Sequence, residues 1–312
     1  PLDEIRKSSS NVTFAPGYAT EEVDQVLIDE AVAVAKDTEV AIVFVGTTWK
    51  IESEGFDRAH MRIADSHLAL LSEVTKVNKN VIVMLSSGST VEVHQFEKDV
   101  KGIFHLWYPG QAAGQSIADI LFGKVSPSGK LSETFPVCLE NTPTYKSEGE
   151  SDVEVEYKEG LFIGYRYYDS KKIPTQYPFG HGLSYTTFAY SNIQLSKKTL
   201  KNNDVLEVSV DISNTGKMTG KEAVQVYVHD VESQYTRPNK ELKAFAKVEL
   251  KPGETKTVTM TLDERAFSYF VPHLNRFAVE SGEFEIQVAA SAEDTRLTDT
   301  VEFISNDEVK IA

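Results

Sequence analysis

Val40-Ala41-Ile42-Val43-Phe44-Val45-Gly46 is an unbroken apolar run, rich in β-branched residues, that stops on a glycine. A strand with one wet face alternates apolar and polar side chains. A run that is apolar throughout fits a strand buried on both faces, as in a parallel sheet. Working outward, Val81-Ile82-Val83-Met84-Leu85 and Gly102-Ile103-Phe104-His105-Leu106-Trp107-Tyr108 repeat the pattern, each followed by a glycine-containing loop. Helical spacing fills the gaps: Val23, Val26, Leu27, Ala31 and Val34 within Glu21–Ala35, then Leu68, Leu71 and Val74 within Ala64–Val77. A further helix, Ala112–Phe122, is closed by Gly123. This alternation predicts an α/β domain over residues 20–187, preceded by an arm at 1–19. Its sheet is open and largely parallel, with right-handed crossovers and helices on both faces.

From about residue 188 the period changes to two. Leu206–Ile212, Ala223–Val228, Thr255–Leu262 and Phe284–Val288 alternate, separated by Asn214-Thr215-Gly216, Lys251-Pro252-Gly253 and Ser281-Gly282. Short alternating strands with such turn signals predict an antiparallel β-sandwich over 188–312.

Bulk properties narrow the function. The chain has 312 residues, 41% hydrophobic and 25% charged, with a formal charge of −15. An acidic surface is unsuited to nucleic acid or to anionic lipid. The apolar runs are far too short to span a bilayer. The single cysteine, Cys138, reads as a small buried hydrophobe. No His/Cys cluster has zinc spacing. The acidic stretch Thr142–Tyr157 reads as a solvated loop, with a metal site as the lesser alternative, so neither metal nor cofactor is expected. The opening Pro1-Leu2-Asp3 is neither a start methionine nor a signal peptide, which suggests a piece of a larger product. One cysteine and no visible signal fit a cytoplasmic bacterial protein, with a secreted one left open.

In open α/β sheets ligands gather beyond the carboxyl ends of the strands. The loop after Val45 reads Gly46-Thr47-Thr48-Trp49-Lys50-Ile51-Glu52-Ser53-Glu54-Gly55-Phe56-Asp57-Arg58. Trp49 offers a flat apolar face with one polar edge, the kind of surface that stacks on a sugar. A carboxylate beside an aromatic can be tuned toward general-acid work by desolvation. Asp57-Arg58 reads as a local ion pair bracing the loop. The same composition also fits an unreactive charged loop.

Glu52-Ser53-Glu54-Gly55-Phe56-Asp57-Arg58 resembles the acid/base loop of family 3 glycoside hydrolases. Trp107-Tyr108-Pro109-Gly110-Gln111, Leu121-Phe122-Gly123, Pro127-Ser128-Gly129-Lys130-Leu131 and Thr134-Phe135-Pro136 are similar to that family's second domain. Gly160–Tyr168 and Tyr177–Thr186 are similar to the stretch leading into its third. Asn214-Thr215-Gly216, Gln225-Val226-Tyr227, Arg237-Pro238 and Leu250-Lys251-Pro252-Gly253-Glu254 resemble its fibronectin-III-like domain. The pieces keep the family's order along nearly the whole chain. Two departures, Ile63-Ala64 and Leu131-Ser132-Glu133-Thr134, leave the acid/base loop untouched.

The resemblance implies a retaining, exo-acting β-glycosidase, foremost a β-glucosidase, with a β-xyloside as the alternative substrate. Glu54, just before the glycine, then corresponds to the general acid/base, with Glu52 as runner-up. Trp49 and His181 become candidate sugar contacts, and Asp57 and Arg58 braces. The family's aspartate nucleophile, in a Ser-Asp-Trp-like motif, belongs to an α/β barrel. No Ser-Asp-Trp occurs in this sequence. The chain alone is therefore expected to be inactive and to need a barrel, in cis or as a separate chain, besides a β-glucoside or related oligosaccharide. The competing reading is a carbohydrate-binding or scaffold module without catalysis. A nucleotide- or signal-binding domain would need a phosphate motif or a phospho-acceptor Asp after the first strand, and Gly46-Thr47-Thr48 offers neither. Several residues also have duller readings: His105 as a core or strand-end histidine, the glycines flanking His181 as a response to close backbone approach, and Tyr165, Tyr167 and Tyr168, which alternate as a strand would, as core and domain-contact residues rather than a sugar platform.

Overall fold

The computed structural model describes residues 1–55, 58–145 and 156–309. They form two compact units: Pro1–Lys124 with Phe135–Tyr145, and Val125–Thr134 with Lys146–Ala312.

The first unit holds a parallel sheet in the order β1-β2-β3: β1 (Ala41–Gly46), β2 (Val81–Ser86) and β3 (Gly102–His105). The central strand is the driest, with Val81, Val83, Met84 and Leu85 all buried. That explains why the runs lack alternation. Four helices accompany the sheet: α1 (Leu2–Ser8), α2 (Gln25–Lys36), α3 (Asp65–Val77) and α4 (Ala113–Leu121). A two-residue strand, β4 (Phe135–Pro136), completes the unit. Helix α2 is capped by Asp24, which accepts from the Val26 and Leu27 amides, and so starts four residues later than the Glu21 suggested by the sequence pattern. Asn78, buried at the end of α3, donates to Ala35 O and Thr38 O and so satisfies carbonyls where α2 ends.

Strand β3 stops at His105 rather than running to Tyr108, because Trp107 adopts φ 52°. That is the left-handed region, which a bulky L residue rarely enters.

The second unit is an antiparallel sandwich apart from one parallel edge pair. One sheet has the order β10-β9-β14-β15-β7, from β7 (Thr199–Lys201), β9 (Gly220–Asp230), β10 (Glu241–Leu250), β14 (Gly282–Ser291) and β15 (Asp294–Ile304). The other is β11-β8-β6, from β6 (Phe188–Leu195), β8 (Leu206–Asn214) and β11 (Thr255–Leu262). A small hairpin joins β12 (Tyr269–Val271) to β13 (Arg276–Ala278). Inward residues of both sheets share one core, including Val208, Val210, Val226, Met260, Phe284, Ile286 and Phe303, with Phe267 packed against them. The four alternating segments seen in the sequence all lie in these strands. Buried Asn214 ties one corner: it donates to Met218 O and Leu250 O and accepts from Thr186 Oγ1 and the Gly216 amide.

Residues preceding β6 also belong to this unit. Lys130 Nζ donates to Glu222 at 3.1 Å, Ser126 Oγ meets Ser184 Oγ at 2.7 Å, and Gln225 Nε2 donates to Gly180 O at 3.2 Å. A short strand, β5 (Thr175–Tyr177), lies here too. The strand-like alternation of Tyr165, Tyr167 and Tyr168 is not what forms. These residues open helix α5 (Tyr165–Lys171), entered through Gly164 at φ 59°. Helical spacing puts Tyr165 and Tyr168 on one side. Tyr168 is buried, and Tyr165 stacks on Phe179 and accepts through its hydroxyl from the Leu242 amide. Of the acidic stretch 142–157, residues 146–155 lie outside the described residues.

Candidate active site

The carboxyl ends of β1, β2 and β3 lie side by side, with Gly46 opposite Ser86 and Leu85 opposite His105. Gly46 is obligatory, because a Cβ there would stand 1.9 Å from Ser86 O. Its amide donates to Nδ1 of buried His67 at 3.4 Å, and that ring packs 4.0 Å from Tyr18. Burial holds the His67 pKa below the usual imidazole range, against the Gly46 bond and Glu21. Its neutral form can accept from Gly46, which puts the ring proton on Nε2.

From Thr47 the chain makes one helical turn, with the Ile51 and Glu52 amides both donating to Thr48 O at 2.9 Å. This turn brings Glu52 back under its own loop. There Glu52 Oε2 accepts from Thr47 Oγ1 at 2.6 Å, the Gly88 amide at 3.0 Å and the Tyr108 hydroxyl at 3.0 Å. One oxygen thus joins the loops that leave all three strands. Gly88 makes room for it: a Cβ there would meet Glu52 Oε1 at 2.5 Å and the Tyr108 ring at 2.7 Å. Burial pushes the Glu52 carboxyl up, but the bonds from Thr47, Gly88 and Tyr108, with the Arg58 charge, outweigh it and hold its pKa below the carboxylate range.

A second carboxylate holds the loop from outside. Glu21 accepts from Thr48 Oγ1 at 2.5 Å and from Lys50 Nζ at 3.2 Å. The Thr48 bond, with Lys50 assisting, brings its pKa down to about 2. Arg58 reaches the β2 loop, donating to Ser89 Oγ at 2.6 Å and Thr90 O at 3.2 Å. Asp57, expected to pair with Arg58, lies outside the described residues.

Among the described residues, Glu54 and Trp49 stand outside this frame. Glu54 is exposed and makes no hydrogen bond or ion pair to another described residue. Trp49 is 75% exposed, with the Lys50 ammonium 5.9 Å from its ring. His181 belongs to the second unit. Its ring stacks on Tyr177 at 5.3 Å, and burial followed by the Lys130 charge lowers its pKa. Its flanking glycines answer close approaches, since a Cβ on Gly180 would lie 2.3 Å from Gln225 Oε1 and one on Gly182 the same distance from Gly129 O.

Sequence reasoning missed Glu21, Gly88 and Tyr108. For Gly88 and Tyr108 a signal existed, because each lies within three residues of a strand's carboxyl end, where such sheets build their sites. Glu21 carried no signal beyond its charge. Among the described residues, no cluster of His, Cys, Asp and Glu is arranged to hold a metal ion, and no helix is long and apolar enough to cross a membrane.

A parallel sheet edge bearing an organised carboxylate loop, followed by a β-sandwich, defines the class. Residues 1–185 match the glycosyl hydrolase family 3 C-terminal domain, and residues 222–292 match a fibronectin type III-like domain. The chain belongs to glycosyl hydrolase family 3. It is 49% identical over 314 residues to thermostable β-glucosidase B of Acetivibrio thermocellus, an alignment covering 99% of this chain and 41% of that protein. It is 41% identical over 302 residues to an exo-α-(1→6)-L-arabinopyranosidase of Bifidobacterium breve, covering 96% and 40%. Among solved structures, a family 3 β-glucosidase of Bifidobacterium adolescentis superposes with a TM-score of 0.92 at 39% identity, covering 99% of this chain and 47% of that one. The chain spans about two fifths of the length of the curated relatives it matches.

Proposed function

We propose that this chain supplies the general acid/base of a retaining exo-β-glycosidase, a β-glucosidase, and that Glu54 is that group. The nucleophile comes from the barrel that the family resemblance implies. In the first step the barrel carboxylate attacks the anomeric carbon while Glu54, as the acid, gives its proton to the departing oxygen. In the second, water attacks the same carbon and gives its proton to the Glu54 carboxylate, which restores both groups.

The observation that carries this reading is the division of labour between Glu52 and Glu54. A general acid must hold a proton to give, so a carboxylate held ionised by several donors is ill suited to the role. Glu52 Oε2 already takes three donors and is held ionised. Glu54, two residues on, is exposed and has no hydrogen-bond or ion-pair partner among the described residues, on a loop held from both sides of its base. Trp49 fits a sugar-stacking surface on the same loop. The kinship with an arabinopyranosidase as well as with β-glucosidases indicates that sugar choice is set largely outside these residues.

The test is the dependence on leaving group. In the barrel-bearing protein, Glu54→Ala should cost an alkyl β-glucoside the roughly 10²–10⁴-fold that general acid catalysis supplies. The glycosylation step of a dinitrophenyl glucoside, which needs little protonation, should be nearly spared. Equal slowing of both would make Glu54 a binding or structural residue.

A further inference from the structure

The turn at Trp107-Tyr108 supplies one of the donors to Glu52, and its backbone is constrained. Trp107 sits at φ 52°. Such a conformation in a bulky residue persists only where its surroundings over-determine it, and it clusters where geometry matters. Here two contacts hold it. Ser86 Oγ donates to Trp107 O at 2.7 Å, and the His105 ring packs 4.1 Å from the indole. The turn's product is the position of the next residue. Tyr108 is 62% exposed, and its hydroxyl stands 3.0 Å from Glu52 Oε2 and 3.4 Å from Thr47 Oγ1. The missing Cβ of Gly88 leaves the space in which that ring and the Glu52 carboxylate meet.

We propose that Tyr108 is a positioning residue for proton transfer by Glu54, acting through Glu52. The proposal rests on the assignment of Glu54 as acid/base. Of the three donors to Glu52 Oε2, Thr47 lies on the same loop and Gly88 on the next. Tyr108 is the one that ties the loop to the third strand. It is also the one that can be removed by deleting a single oxygen without disturbing the main chain. Loss of that tie lets Glu52 tilt, and a shift of about an ångström in the carboxylate two residues along is enough to impair proton transfer.

The experiment compares Tyr108→Phe, Glu54→Ala and the double variant with the parent, in the barrel-bearing protein, on alkyl and dinitrophenyl β-glucosides. Tyr108→Phe should lower kcat for the alkyl glucoside about ten-fold, the scale of a lost hydrogen bond to a charged group. It should leave KM and the dinitrophenyl glycosylation rate within about two-fold. In the Glu54→Ala background it should add nothing to the dependence on leaving group. A general loosening of the fold would slow both substrates alike, so equal loss, or no loss, with Glu54→Ala still selective for the alkyl substrate overturns this proposal alone. If Glu54→Ala itself shows no such selectivity, the acid/base assignment falls and this proposal with it.

Discussion

His105 gives a sharp test of how the sheet edge is built. Its two ring nitrogens are buried with no hydrogen-bond partner among the described residues, and its ring is packed between Trp107 at 4.1 Å and the edge of Phe135 at 5.2 Å. Burial alone lowers its pKa to about 4 from the usual 6.5. The sign follows directly. Below pH 6.5 the unfolded chain takes up a proton that the folded chain refuses, so stability is complete above 6.5, falls as the pH drops, and levels off below about 4. A shift of this size corresponds to about 3 kcal/mol in full, which the partial exposure of the ring trims to about 2. His105→Phe keeps the stack and removes the titration. Urea unfolding of parent and variant at pH 7 and pH 5 should show the parent losing about 1–2 kcal/mol more than the variant, with the other six histidines common to both. The His105 ring resonance should titrate with a midpoint near 4 by NMR. A midpoint near 6.5, or identical acid losses in the two proteins, would refute the dry, unpaired setting assigned to this ring.

Gly88→Ala should destabilise the first unit by about 2 kcal/mol, because the new methyl displaces Glu52 and Tyr108 from a bonded cluster; thermal melting reads this, and a neutral result would mean that the carboxylate is not where it is described. Asn214→Ala should cost the sandwich about 3 kcal/mol, since it strips partners from two carbonyls, an amide and the Thr186 hydroxyl in a buried corner; denaturant unfolding with unchanged slope is the check. The chain by itself should hydrolyse no aryl β-glucoside above background, as the covalent route needs a nucleophile from the barrel; turnover that survives further purification would point to a second catalytic carboxylate within these residues.

The large-scale fold was legible because burial writes itself into periodicity. Val40–Gly46 and Val81–Leu85 fit strands of a parallel sheet, most fully dry in the central one, and the period-two segments after residue 188 fit antiparallel strands, though in Ala223–Val228 Gln225 and Tyr227 are buried as well. What stayed hidden depends on residues distant in sequence meeting in space. Only the family resemblance ranks Glu54 over Glu52 in the sequence; the physical difference arises when Gly88 and Tyr108 arrive from other strands and occupy one of the two. Tyr165–Tyr168 misled because aromatic residues favour strands on average, whereas Gly164 and the contact with Phe179 favour a helix here. Trp107 was unreadable for a related reason, since no sequence pattern marks a bulky residue held left-handed by Ser86 and His105.

The central claim, that Glu54 is the proton donor and acceptor, is tested most directly by azide rescue. In the barrel-bearing protein with Glu54→Ala, a dinitrophenyl β-glucoside should form the glycosyl-enzyme and then stall, because water has lost its base. Azide needs no deprotonation, so its addition should restore turnover and leave a glycosyl azide of retained configuration. Glu52→Ala should lose activity without being rescued. Rescue of Glu52→Ala instead, or a Glu54→Ala variant indifferent to azide, would contradict the assignment.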